Sequence, residues 1–169
     1  MTSDKTAFVH IIEENQGIIF KVCRMYCTNQ DDIEDLFQEI ALQLWKSYPT
    51  FRNDAKVSTW IYRIALNTTI SGLRKKGKSR IAFQQLSAIH HNLPENVPKR
   101  IDMEWDHELQ AAINTLNKFD KSLLMLYLDE KSYKEMAEIL EISENSVGVK
   151  INRIKKKLKE KLNPHTHGT

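Results

Sequence analysis

Apolar side chains recur along this chain at intervals of three, four and seven, the spacing of helices that bury one face. Between residues 5 and 26 they are Phe8, Ile12, Ile19, Val22, Cys23 and Tyr26, which predicts a first amphipathic helix. The run TNQDD ends it. Asp31 or Asp32 can cap a second helix reaching about Trp45, with Ile33, Leu36, Phe37, Ile40 and Leu44 inward and Asp35, Gln38, Glu39 and Leu42 on the opposite side. The segment KSYPTFRNDAKVS, with Pro49, Asn53 and Asp54, reads as a loop. A third helix, which Ser58 or Thr59 can cap, is predicted from Trp60 to Lys75. Ile61, Ile64, Ala65 and Thr68 share one side, and Tyr62, Leu66, Ile70 and Leu73 cover most of the rest. One polar stripe remains, made of Trp60, Arg63, Asn67, Ser71 and Arg74.

The pattern weakens after Arg80 and stops at HHNLPENVPKR, whose two prolines mark a linker. Helical periodicity resumes over Met103 to Leu116, and Asp120 can cap a helix carrying LLMLYL. Ser132 and Glu135 have the spacing of a capping box, in which hydroxyl and carboxylate each satisfy an amide of the first turn. The short helix they open, Tyr133 to Leu140, turns at Glu141 and Ile142 into another that Ser143 can cap and that runs to about Leu162. Two helices joined by so short a turn make a helix-turn-helix. Its second helix has a buried stripe of Val147, Ile151, Ile154, Leu158 and Leu162, and turns Asn145, Ser146, Val149, Asn152, Arg153 and Lys156 outward. The fold class expected is all-α, with a domain over 1–81, a flexible linker over 82–101 and a domain over 102–169.

Composition agrees with this division. Five Gly and four Pro are too few for an all-β chain of many tight turns, and 41% hydrophobic residues suffice to build cores. The net charge of +3 averages over a pattern: residues 1–80 carry net +3, 81–112 net −3 and 113–169 net +3. Basic charge concentrated at two places is the footprint of two contacts with a polyanion. One lies around Arg74, Lys75 and Lys76. The other is the run from Lys150 to Lys161, with seven bases and one acid.

Each face has its chemistry. Arginine and lysine meet phosphate, an amide can read a base edge, and an indole offers an unstacked base a surface, so the Trp60 stripe suits nucleic acid. A helix with one solvated stripe would look similar. The second helix has five acids and no base between Met25 and Trp45, so its outer face would be repelled by DNA and is better suited to protein. A solvated acidic helix is the plainer alternative. In the last helix the N-terminal half is suited to base edges and the C-terminal half, including Lys157, to phosphate. Cys23 and Cys27 lie four apart, but no Cys or His pair nearby completes a metal set, so they are expected as buried small side chains. No metal and no cofactor are expected. MTSDKTAFVH is neither a signal peptide nor a lipidation motif and no apolar run approaches a membrane span, so a cytoplasmic protein without membrane insertion is expected.

Taken together, DDIEDLFQEIALQLWKSYPTFRNDAKVSTWIYRIALNTTISGLRKK resembles region 2, and LNKFDKSLLMLYLDEKSYKEMAEILEISENSVGVKINRIKKKLKEKL resembles region 4, of the extracytoplasmic-function (ECF) sigma factors of bacterial RNA polymerase. The resemblance implies a non-enzymatic subunit that binds core RNA polymerase and directs promoter-specific initiation, with promoter DNA and an anti-sigma factor as further partners. It implies that Asp35, Gln38, Glu39 and Leu42 dock on the clamp helices of the polymerase largest subunit. The minus-10 element would fall to Arg52, Asn53, Lys56, Trp60, Arg63, Asn67, Arg74, Lys75 and Lys76. The minus-35 element would fall to Asn145, Ser146, Val149, Lys150, Asn152, Arg153, Lys156 and Lys157. Two positions depart from the family: Ser71 stands where Asp is usual, and Glu141 stands at a corner where Gly is common. A left-handed corner costs a non-Gly residue about 1 kcal/mol, so a distorted turn is expected there.

Two other functions fit parts of the chain. Gly72 to Ser79, GLRKKGKS, satisfies the Walker A pattern and LLMLYLDE could pass for a Walker B strand, as in a nucleotide hydrolase. A phosphate loop needs a buried strand before it, and the residues preceding Gly72 have helical character. A stand-alone helix-turn-helix regulator would explain residues 132–161 and leave the acidic face and the Trp60 helix without a role.

Overall fold

The computed structural model describes residues 2–71 and 106–163. The chain divides into two compact units, Met1–Ile101 and Asp102–Thr169. The described residues form seven α-helices and a 3-10 turn, with no strand among them. The all-α class is what the 3.6-residue periodicity demanded. The expected linker over 82–101 lies outside the described residues.

The first unit packs α1 (Thr2–Tyr26), α2 (Gln30–Ser47) and α3 (Val57–Ile70) against one another. Phe8, Ile12, Ile19 and Val22 of α1, Leu36, Phe37, Ile40 and Leu44 of α2 and Ile61, Tyr62, Ala65 and Leu66 of α3 make the core. Phe20 stacks on Phe37 with centroids 4.6 Å apart, and Cys23 and Cys27 are buried as expected. The cap of α2 is Asn29 rather than Asp31 or Asp32. Its side-chain oxygen accepts from the amide of Asp32 at 2.8 Å and its amide group donates to the Asp32 carboxylate at 2.8 Å. The two aspartates instead occupy the first turn, where the helix dipole favours them.

The second helix runs two residues past Trp45 and tightens into a 3-10 turn at Tyr48–Thr50, with Pro49 at a position where no amide proton is needed. The third helix starts at Val57, before the expected caps Ser58 and Thr59. Lys56 is its N-cap, with no side-chain capping bond, and its carbonyl accepts from Trp60 at 3.1 Å. Ser58 and Thr59 are already helical residues of the first turn and so do not stand at the cap position. At the other end Thr68, Thr69 and Ser71 each donate a hydroxyl proton to the carbonyl four residues back, at 2.7, 2.9 and 2.6 Å.

In the second unit α4 (His107–Asn114), α5 (Lys118–Leu128) and α6 (Tyr133–Leu140) pack round α7 (Glu144–Leu162). Ile113, Leu123, Leu126, Met136, Ile139, Val147, Ile151 and Ile154 form its core. Asn117, not Asp120, caps α5 by accepting from the Asp120 amide at 2.8 Å. The capping box is present in both directions: the Glu135 amide donates to Ser132 Oγ at 3.1 Å and the Ser132 amide to Glu135 Oε2 at 2.8 Å. Ser143 caps α7 by accepting from the Ser146 amide at 3.1 Å. LLMLYL, the apolar part of the LLMLYLDE stretch that could pass for a Walker B strand, is helical and lies in α5.

Candidate polymerase and nucleic-acid interfaces

On α2 the structure changes the expected docking face. Asp35 is exposed and Gln38 half-buried, but Glu39 and Leu42 are only 8% and 7% exposed. The leucine expected to stand open among carboxylates is covered. A wheel drawn on one apolar stripe treats the far side as solvent, whereas an apolar side chain is removed from water wherever a neighbour can cover it. Charged side chains that this helix leaves exposed include Asp31, Glu34, Asp35 and Lys46.

Trp60 is a second correction. It is 6% exposed, stacked on Phe51 at 4.5 Å and 24°, with Tyr48 at 6.4 Å and its indole nitrogen 3.4 Å from Ser47 Oγ. Its faces are taken by the loop that folds back over α3, so it anchors that loop instead of offering a surface to a base. Arg63 is half-buried, while Arg52, Asn53, Lys56 and Asn67 are exposed. Asn53 has a left-handed backbone, φ 56°, which asparagine tolerates better than most residues. Ser71 caps the C-terminus of α3 with its hydroxyl turned onto Asn67. An ionised aspartate cannot donate that bond. Arg74, Lys75 and Lys76, with the GLRKKGKS motif, lie outside the described residues.

The loop also creates a feature that no periodicity announces. A cleft of about 630 Å³ is walled by Ile11, Trp45, Tyr48, Pro49 and Phe51, with Asp4, Lys5 and Asn53 as its polar members. Trp45, Tyr48 and Phe51 are half-buried, braced from behind by Phe8, which meets Trp45 at 5.0 Å and Tyr48 at 5.3 Å, and by Trp60. Three aromatic residues at spacings of three across a helix end were the available signal. The volume falls in the range of about 300–1,000 Å³ common to small-ligand sites, and the rings suit a flat, unsaturated occupant. Among the described residues no cluster of three or more metal-ligating side chains occurs.

In the second unit the turn Glu141 to Ser143 keeps α6 and α7 in a helix-turn-helix. Glu141 is left-handed, φ 56° and ψ 42°, and the Ile142 amide donates to the Ala137 carbonyl at 3.1 Å. The expected distortion does not occur: Glu141 takes the conformation that glycine would. Beyond this corner Asn145, Val149, Asn152, Arg153, Lys156 and Lys157 are exposed, Val149 at 44%. Asn145, Val149, Asn152, Arg153 and Lys156 share the side of α7 opposite its buried stripe. Ser146 is half-buried, held at 2.8 Å by the capping serine. Lys150 is also half-buried and lies on the flank, with its ammonium 5.4 Å from the Phe119 ring centroid. Lys155 sits on the other flank, 4.4 Å from the Tyr127 ring centroid.

The family model for Sigma-70 region 2 matches residues 11–79, and that for Sigma-70, region 4 matches residues 106–158. The chain is 29% identical to the ECF RNA polymerase sigma factor SigW of Bacillus subtilis, over 94% of this chain and 90% of the relative. It is 26% identical to the ECF RNA polymerase sigma-E factor of Haemophilus influenzae, over 95% and 90%. The chain belongs to the ECF class of the sigma-70 family. It is an RNA polymerase sigma factor. Its fold resembles that of CnrH in complex with the cytosolic domain of CnrY, with a TM-score of 0.64 and 17% identity over 98% of this chain and 96% of that one. It also resembles RpoE in complex with the anti-sigma factor NepR from Bartonella quintana, with a TM-score of 0.60 and 18% identity over 96% and 98%. No helix among the described residues of this sigma factor is long and apolar enough to cross a membrane.

Proposed function

We propose that this sigma factor divides promoter recognition between its two units. The observation that carries the proposal is that one chain holds both an aromatic cleft suited to an unstacked base and a helix-turn-helix suited to intact duplex. A protein that opens DNA beside a duplex anchor needs both. The Tyr48 to Ser58 loop and its cleft would capture a base of the minus-10 element, with Arg52, Asn53, Lys56, Arg63 and Asn67 and the bases Arg74, Lys75 and Lys76 along the strand. The outward side of α7 would read the minus-35 element. On α2, Asp35 and Gln38 would meet core polymerase, with Glu39 and Leu42 supporting them from within.

Strand opening on this scheme uses binding energy and no nucleotide hydrolysis by the sigma factor itself. Unstacking costs a few kcal/mol per base, and stacking on an aromatic side chain returns about 1–3 kcal/mol. A cytoplasmic location goes with that role. An anti-sigma partner is supported by the NepR complex of the similar RpoE structure. The assignment of 1–81 to polymerase binding and minus-10 recognition, 82–101 to a linker and 102–169 to minus-35 recognition belongs to the same proposal.

The cleft is tested with Phe51→Leu and Tyr48→Leu, which keep apolar volume and lose the ring. With core polymerase and a promoter carrying 2-aminopurine in the minus-10 region, each should open DNA on the order of tenfold less well, the loss of one stacking contact. Duplex binding through α7 should be unchanged. Full opening by both variants would contradict the role of the cleft.

A further inference from the structure

The helix α7 carries seven bases between Lys150 and Lys161, and two of them stand apart from the rest. Val147, Ile151 and Ile154 form the fully buried part of its inner stripe, while Leu158 and Leu162 are only half-buried. At 100° per residue Lys150 lies on one flank of that stripe and Lys155 on the other, at nearly equal angles. Each ends on an aromatic ring: Lys150 on Phe119 of α5 at 5.4 Å, Lys155 on Tyr127 at the far end of the same helix at 4.4 Å. A third contact lies two turns from Lys155 on the same line of α7, where the ring of Tyr133 comes within 3.5 Å of the point a Cβ on Gly148 would occupy.

The platform under these contacts is fixed through its backbone. Tyr127 and Tyr133 bracket the turn Asp129 to Ser132, in which the Lys131 amide donates to the Leu126 carbonyl at 3.1 Å and Glu130 is left-handed at φ 57°. The capping box holds the start of α6, and with it Tyr133. Both tyrosines are 36% exposed, so these are contacts at the surface and not extensions of the core. Hydrogen bonding to Tyr127 raises the Lys155 ammonium above the usual lysine range against a smaller opposing desolvation, so this lysine stays charged through neutral pH.

We infer that Lys150 and Lys155 are positioning residues that set the roll of α7 about its axis, each as a cation on an aromatic ring, and are not phosphate contacts. The three-residue stripe alone leaves the second half of α7 weakly held. Two cationic stems straddling it, with Tyr133 on Gly148, fix which side chains face outward. A small rotation would carry Val149 and Asn152 off the bases they meet. The inference rests on the assignment of α7 to the minus-35 element.

The test uses the full chain with core polymerase, on promoters with a matched minus-35 site and with single mismatches, across a salt series. Lys150→Met and Lys155→Met, singly and together, keep the stem and drop the charge. They should leave the salt slope at its wild-type value and lower matched-to-mismatched discrimination by about 3- to 10-fold, and Lys→Arg at the same positions should restore it. Lys156→Met, on the outward side, should lower the slope by about one. If the two methionine variants each lose about one unit of slope with discrimination intact, the lysines are phosphate contacts and the inference is overturned. Variants like wild type in both readouts would overturn it equally. A wild-type chain with no preference at the minus-35 position would instead remove the assignment of α7 itself, and the inference with it.

Discussion

Asp35 and Leu42 separate what a single residue of α2 does for binding from what it does for folding. Asp35 is exposed in a helix that carries five acids and no base as far as Trp45, so Asp35→Lys should lower affinity for core polymerase on the order of tenfold without moving the melting temperature. Leu42 is 7% exposed, and Leu42→Arg should destabilise the first unit by about 3 kcal/mol by burying an unmatched charge. Thermal unfolding followed beside a core-binding titration distinguishes the two. If Asp35→Lys binds core like wild type, this face of α2 is not the docking surface. Glu141 shows the opposite balance. Its left-handed backbone costs about 1 kcal/mol relative to glycine, yet the turn closes because the Ile142 amide and the Ser143 cap satisfy the backbone on both sides.

At the scale of the element, the proposed reading gives α7 two kinds of DNA contact in two halves. Arg153 is exposed on the outward side of the half that enters the major groove in this motif, and Lys157, also exposed, lies further along, where the helix would pass the DNA backbone on the proposed reading. Arg153→Ala should cost about 1–3 kcal/mol and relax preference at one or two base pairs. Lys157→Ala should weaken all sequences alike and lower the salt slope by about one. Binding across a salt series on matched and mismatched sites reads both, and a reversal of the two behaviours would mean the register of α7 is wrong. This helix and α6 before it are legible in the sequence because the period of α7 is long and the caps, Ser132 and Glu135 for α6 and Ser143 for α7, stand alone at their positions. The caps of α2 and α5 are not, since an asparagine two or three residues before the aspartates can do the same and periodicity does not choose between them. The burial of Trp60 is hidden because a wheel shows one helix, while its ring is covered by Phe51 from a loop whose path no period encodes. The aromatic cleft is hidden for the same reason: Trp45, Tyr48 and Phe51 become one wall only when the chain tightens into the 3-10 turn after α2.

For the whole molecule, the two basic regions separated by an acidic stretch make sense as two holds on one polyanion, and the acidic outer face of α2 as a hold on something else. The central claim is that this chain confers promoter choice on a polymerase that lacks it. The most direct measurement is transcription by purified core polymerase on a library of randomised promoters, with and without this sigma factor, with the 5′ ends of the transcripts sequenced. The account expects start sites that depend on the added chain and share two short elements, near minus-10 and minus-35, at a fixed spacing. Transcripts of unchanged start-site distribution, or enrichment of a single element with no counterpart, would contradict it.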